Sequence, residues 1–280
     1  MAEFEALPPA EMAKKAEDIG EKKANSSFSK TALLAMLAGA FIAMGSLFST
    51  IVQVGGETAP YGIVKMLAGA VFSVGLALVV IGGAELFTGN TLLSMAFLSK
   101  RISLGKLLRN WTIVYFGNFL GAVIIAALIF GSGQFTQNHG QVGAMALKIA
   151  NSKCSLDFFQ AILLGIMCNV FVCLAVWLTY ACKSVADKVV VIILPIAAFV
   201  AAGFEHSVAN MYFLPLGYMI KVGASAQFWT DIGKTAADFG AINWSNILVG
   251  NLVPVTIGNI IGGGIFIGVT YWVIYRKLAR

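Results

Sequence analysis

The 280 residues are 59% apolar and only 11% charged, with a mean hydropathy of +0.85, a composition outside that of water-soluble domains. At about 20 mostly apolar residues per crossing, this length accommodates six or seven spanning helices with short connections and excludes a separate soluble domain. The net charge of +6 fits the lysines and arginines that membrane proteins gather in cytoplasmic loops, so it implies no nucleic-acid partner.

Residues 1–30 carry Lys14, Lys15, Lys22, Lys23 and Lys30 among six acids, which is not the pattern of a cleaved leader. Met12, Ala16, Ile19 and Lys23 recur at helical spacing. Residues 10–23 therefore read either as an amphipathic helix at the membrane surface or as a solvated polar tail.

Uncharged apolar runs follow at Thr31–Val54, Met66–Ala84, Leu86–Ser99, Trp111–Gly131, Phe158–Cys182, Val189–Phe204, His206–Ile220 and about Ile247–Tyr275. Leu86–Ser99 and His206–Ile220 are too short to count separately, and each follows its predecessor across a single acid, Glu85 or Glu205. The chain is thus expected to make six crossings, the second and fifth interrupted. The lysines and arginines support that count. Alternating the connections between sides places 14 of the 19 on one side: five at the N-terminus, four in the 100–109 loop, Lys183 and Lys188, and Arg276, Lys277 and Arg280. That side is predicted to be cytoplasmic and to hold both termini, with 276–280 as a short tail.

The two interruptions match each other. Gly83, Glu85 and Asn90 fall at the same offsets as Gly203, Glu205 and Asn210, and Asn110, Gly117, Asn118 and Gly121 at the same offsets as Asn251, Gly258, Asn259 and Gly262. The channel domain, 31–275, is therefore expected to contain two repeats, about 31–131 and about 157–275. Three crossings is an odd number, so the second repeat must sit inverted, an architecture typical of transporters.

A broken span frees backbone groups that hydrocarbon cannot satisfy, so the breaks are expected to line a pathway. Gly82, Gly83, Gly89 and Gly203 permit the turns, and Thr88 and Ser207 are expected to cap the half-helices that follow. Half-helix N-termini favour a small anion. Glu85 and Glu205 are expected to accept bonds from freed N–H groups, pinning the loops together with Asn90 and Asn210, rather than to make a cation site. His206, on the break itself, is read as functional, whereas His139 falls in a polar loop. Cys154, Cys168, Cys173 and Cys182 have neither disulfide-framework nor metal-ligand spacing and read as packing residues. No metal or cofactor is expected.

With Glu205-His-Ser-Val-Ala-Asn-Met211, Gly83-Ala-Glu-Leu-Phe-Thr88 and Asn251-Leu-Val-Pro-Val-Thr-Ile-Gly-Asn259 in view, the chain resembles the formate–nitrite transporter family over essentially its whole length, with bacterial formate channels nearest. The resemblance implies an aquaporin-like fold, a homopentamer in the bacterial inner membrane with one pore per protomer, and passive passage of small monovalent anions, formate first, with nitrite or hydrosulfide as alternatives. It implies constrictions at Phe72, Leu76 and Phe199, with a second narrowing at Leu86, Phe87 and Thr88. It also implies a central site of His206, Thr88, Asn169, Val172 and Asn259, with Lys153 attracting anions. Apolar rings obstruct hydrated ions. His206, an imidazole with an ordinary pKa of about 6.5, is expected to supply charge or a proton there, linking uptake to protons at low pH. The enzyme alternative, a membrane redox subunit, needs axial histidine pairs, and with one histidine in the apolar runs it is disfavoured.

Overall fold

The computed structural model describes residues 6–279, and among them the regular elements are all helical. Residues 1–5 and Arg280, part of the expected N-terminal segment and tail, lie outside the described residues. In chain order the helices are α1 (Pro9–Ala24), α2 (Phe28–Gln53), α3 (Tyr61–Gly82), α4 (Phe87–Asn90), α5 (Leu93–Leu98), α6 (Leu104–Gly131), α7 (Gln141–Cys154), α8 (Phe158–Ala181), α9 (Val185–Ala201), α10 (Ser207–Gly223) and α11 (Ala226–Ile232). The last, α12 (Asn246–Lys277), alternates α-helical turns at Val253–Asn259 and Thr270–Trp272 with π-helical stretches.

Among the described residues, five helices, α2, α3, α6, α8 and α12, are long and apolar enough to cross a bilayer. Helices α9 and α10 have 17 residues each and meet at a break over residues 202–206. The first break, at 83–86, follows a helix of 22 residues that begins at Tyr61, five residues earlier than the apolar run suggested. The reason is Lys65: its ammonium lies at the mouth of a cavity and donates to Gln53 Oε1 at 2.9 Å, so a charge here does not end the helix.

The N-terminal segment is helical from Pro9 to Ala24. Helix α1 starts on Pro9 at its first turn, with Glu11 at its positive end and Lys22 and Lys23 at its negative end. Its buried face, Met12, Ala13, Ala16, Gly20 and Ala24, packs on protein, including α5, α8 and the end of α12. Glu17 is buried and holds it there, accepting from Ser99 Oγ at 2.5 Å and from Arg276 Nε and Nη2 at 2.8 and 3.0 Å.

The pairs α2–α6 and α8–α12 are among those that pack with nothing between their backbones. A Cβ on Gly39 or Gly121 would overlap the Asn118 or Met36 carbonyl, which sets the α2–α6 contact; a Cβ on Gly258 or Gly262 would overlap the Ile162 or Ile166 carbonyl, which sets α8–α12. The repeat motif glycines thus do the same job in both halves. Helix α7 has no apolar run behind it. It forms because Val142, Ala146, Leu147, Ala150 and Cys154 share one buried face of a short amphipathic helix.

Candidate functional site

Both breaks turn on a glycine in the left-handed region, Gly83 at φ 74° and Gly203 at φ 73°, where a side chain would be strained. After Gly83 the chain is held by Ala84 N donating to Val79 O and Glu85 N donating to Leu34 O. After Gly203 the equivalents are Phe204 N to Phe199 O and Glu205 N to Leu164 O.

The freed groups that remain are satisfied by two fully buried asparagines. Asn118 Oδ1 accepts from Phe87 N at 2.9 Å while its Nδ2 donates to Ala35 O and Glu85 O at 2.7 and 2.8 Å. Asn259 Oδ1 accepts from Ser207 N at 2.9 Å while its Nδ2 donates to Gly165 O and Glu205 O at 2.8 and 3.0 Å. Capping by Thr88 and Ser207 is therefore corrected: neither is the cap residue. Phe87 N goes to Asn118 instead, and α10 is capped by His206, whose Nδ1 accepts from Ala209 N at 3.0 Å.

The glutamates bond side chains rather than freed N–H groups. Glu85 Oε2 accepts from Asn90 Nδ2 at 2.6 Å, and Asn90 Nδ2 also reaches Asn110 Oδ1 at 2.9 Å. Lys23 Nζ lies 3.3 Å from the same Glu85 oxygen and 2.7 Å from Asn90 Oδ1. In the second half Glu205 Oε2 accepts from Asn210 Nδ2 at 2.6 Å, Asn210 Nδ2 reaches Asn251 Oδ1 at 2.7 Å, and Lys153 Nζ meets Glu205 Oε1 at 2.7 Å. The family resemblance points to Lys153 at a break but not to Lys23, which the sequence reading places only in the N-terminal segment. The signal was present: aligning Phe28-Ser-Lys-Thr-Ala-Leu-Leu34 with Phe158-Phe-Gln-Ala-Ile-Leu-Leu164 and extending back five residues sets Lys23 under Lys153.

Two cavities open on either side of these loops. The near cavity, of about 220 Å³ and bordered by α1, is closed at its inner end by Leu76 and Leu86 and also lined by Lys15, Lys23 and Lys188. The far cavity, of about 500 Å³, ends on Phe72, Phe199 and His206 and holds Lys65, Lys148 and Lys153. Phe72 and Leu76 lie one turn apart on α3, so one helix face supplies an apolar surface to each cavity. Phe72 meets Phe199 edge-on with ring centres 5.6 Å apart, and Phe199 stacks on His206 at 6.0 Å. The two cavities thus approach each other across a thin greasy partition.

His206 Nε2 lies 3.0 Å from Thr88 Oγ1 behind that partition, joining the two breaks directly. Because Nδ1 accepts from Ala209, the neutral ring carries its proton on Nε2 and donates to the Thr88 hydroxyl, whose own hydrogen is left to point elsewhere. Asn169, also fully buried, donates to Thr88 O at 3.2 Å, Thr91 Oγ1 at 3.1 Å and Asn259 O at 2.6 Å. Cys173 adds a bond to Thr88 O at 3.4 Å, and Gly263 leaves the room in which Thr91, Asn169 and Cys173 meet.

Not every expected residue faces a cavity. Thr88, Asn169, Val172 and Asn259 are buried behind the partition and line neither cavity. Phe87 turns away, packing edge-on against Trp111 and Tyr115 at 6.2 and 5.0 Å.

Comparison with known proteins points one way. The family model described as formate/nitrite transporter matches residues 10–273. The chain belongs to the formate/nitrite transporter family. Among curated members of that family, it is 46% identical to the formate channel FocA of Escherichia coli strain K12 over 274 residues, covering 98% of this chain and 96% of that one. It is 43% identical to the formate channel FocA of Haemophilus influenzae, covering 94% and 93%. Among solved structures, a pentameric formate channel with formate bound matches with a TM-score of 0.85 and 47% identity over 89% of this chain and 97% of that one. A second structure, an ion channel of the same family, matches at 0.79 with 27% identity over 94% of this chain and 98% of that one.

Proposed function

We propose that this protein is a membrane channel for small monovalent anions, with formate as its principal solute and one pore in each protomer of a homopentamer. The observation that carries the reading is the pair of cavities facing each other across Phe72, Phe199, Leu76 and Leu86, with His206 at the partition. Full-length likeness to formate channels, one of them a pentamer with formate bound, supports the solute and the assembly.

The chain makes six crossings in two inverted three-helix halves of an aquaporin-like bundle, the second and fifth broken. The supporting observation is that each half holds its break with the same parts: a left-handed glycine, an Asn clamp, an Asn pair and a Lys–Glu bond. The near cavity opens to the cytoplasm, the side the Lys and Arg tally assigns to both termini. The membrane is the bacterial inner membrane.

At the partition a carboxylate sheds water at a cost of several kcal/mol. Lys23 and Lys153, each bonded to the glutamate of a break, keep the approaches from being negative. Thr88 and the Nε2–H of His206 form the polar side of an otherwise greasy slit, behind Phe72, Leu76, Phe199 and Leu86. Asn169, Val172 and Asn259 support that wall from behind, and Glu85, Glu205, Asn90 and Asn210 anchor the loops that carry it. Phe87 fixes its loop by packing on Trp111 and Tyr115.

A carboxylic acid with a pKa of about 4 gains protons as the medium acidifies, so the solute at the slit shifts toward the neutral acid and uptake becomes linked to protons. A charged His206 would have to give up the bond from Ala209 N, since both nitrogens would then be donors. Proton transfer through His206 therefore moves the first turn of α10. The test is flux in proteoliposomes with formate, nitrite and hydrosulfide side by side, with proton movement recorded. Formate carried no faster than by empty liposomes would overturn the reading, and faster nitrite or hydrosulfide would reassign the solute.

A further inference from the structure

Both mouths hold a second lysine that the break glutamates do not reach. Lys65, half-buried at the outer end of α3, lines the far cavity; Lys188, half-buried at the outer end of α9, lines the near one. Lys65 precedes Gly83 by 18 residues and Lys188 precedes Gly203 by 15, so they differ by less than one helical turn relative to their breaks.

Three of the other four cavity lysines meet a carboxylate. Lys153 and Lys23 are bonded to Glu205 and Glu85, and each pair is close to neutral seen from the cavity. Lys148 is exposed and faces Glu57 at 3.4 Å. Lys15 donates to the Tyr180 carbonyl at 2.8 Å and fastens α1. Lys65 donates one hydrogen to the neutral Gln53 and sits over the Tyr61 ring at 5.6 Å; no carboxylate lies within 4.0 Å of Lys65 or of Lys188 among the described residues. An ammonium has three donors, so Lys65 keeps hydrogens for a solute.

We propose that Lys65 and Lys188 are the anion-capture residues of the two vestibules, each recruiting a small carboxylate from its side, while Lys153 and Lys23 chiefly hold the breaks in place. The inference rests on the channel reading above. An uncompensated charge about 5 Å from a solute in a water-filled cavity changes local anion concentration about fourfold at low ionic strength. The effect is largely screened when the Debye length falls to about 3–4 Å.

The experiment compares formate influx into proteoliposomes for the parent, Lys65→Gln, Lys188→Gln and the double variant, at about 20 mM and about 0.7 M ionic strength. Because channels insert in both directions, each single variant should raise the half-saturating formate concentration about twofold at low salt and the double variant about fourfold. The difference should vanish at high salt, and Lys65→Arg with Lys188→Arg should restore the parent. Equal half-saturation in parent and double variant, or a deficit that salt does not remove, overturns the assignment. A parent that passes neither formate nor nitrite overturns the channel reading instead, and this inference with it.

Discussion

Replacing Asn259 by alanine tests the claim that one carboxamide holds the second break. It is fully buried, accepts from Ser207 N at 2.9 Å, and donates to Gly165 O at 2.8 Å and Glu205 O at 3.0 Å. No water replaces these bonds in a hydrocarbon-enclosed site, and three main-chain groups are left unpaired. Hydrogen bonds inside membrane proteins are worth about 0.6 kcal/mol on average and about 1.7 at most, so three together come to about 2–5 kcal/mol. The orphaned groups push the value toward the upper end. Asn118→Ala removes the same three kinds of bond in the first half, and its loss should agree within about 1 kcal/mol. The measurement is reversible unfolding in mixed micelles titrated with a denaturing detergent, followed by circular dichroism. An Asn259→Ala loss under about 1 kcal/mol, or an Asn118→Ala loss several times different, would refute the matched-clamp account.

Other consequences follow from the same geometry. His206→Phe removes the Thr88 bond and the cap of α10, and formate flux with its proton movement in liposomes should both change; unaltered values would remove His206 from the mechanism. His206→Asn keeps a side-chain acceptor for Ala209 N, so its stability should exceed that of His206→Phe by about 1 kcal/mol in the same unfolding assay. Phe199→Ala opens the partition beside Phe72, and stopped-flow light scattering should show water permeability rising severalfold; no rise would mean the passage narrows elsewhere. Gly121→Ala drives a Cβ into the Met36 carbonyl, and the cost of about 1–3 kcal/mol or more should appear as lost assembled protein in size-exclusion chromatography. Glu17→Ala leaves Ser99, Arg101 and Arg276 without their shared acceptor, so cleavage after Lys14 or Lys15 in limited proteolysis should become markedly faster.

Much of the architecture was legible because bilayer physics writes itself along the chain. An apolar run of span length admits one structure in lipid, and a run interrupted by Gly and Glu announces a break, which is why Gly83–Glu85 and Gly203–Glu205 stood out. Helix α7 was not legible, since its 14 residues of mixed polarity are too short to read as a span. The bounds of α3 were hidden because hydropathy treats Lys65 as an end, whereas a cavity mouth tolerates an ammonium. The caps were misread because Thr88 and Ser207 are good cap residues in isolation, while the freed N–H groups in the folded chain are met by Asn118, Asn259 and His206.

The amino-acid order by itself determined the solvent, the long spans, the two breaks and the correspondence between halves. These depend on local composition and on identities repeated at constant offset, both one-dimensional properties. Only the tertiary structure decided which lysines meet a carboxylate, that Glu85 and Glu205 bond side chains rather than backbone, and that Phe87 turns away while Phe72 and Phe199 close a cavity. Several of those outcomes depend on groups far apart in the chain meeting at bond distance, such as Lys153 with Glu205, 52 residues apart, and Lys23 with Asn90, 67 apart. Hydropathy carries no information about which of several buried polar partners a group will reach.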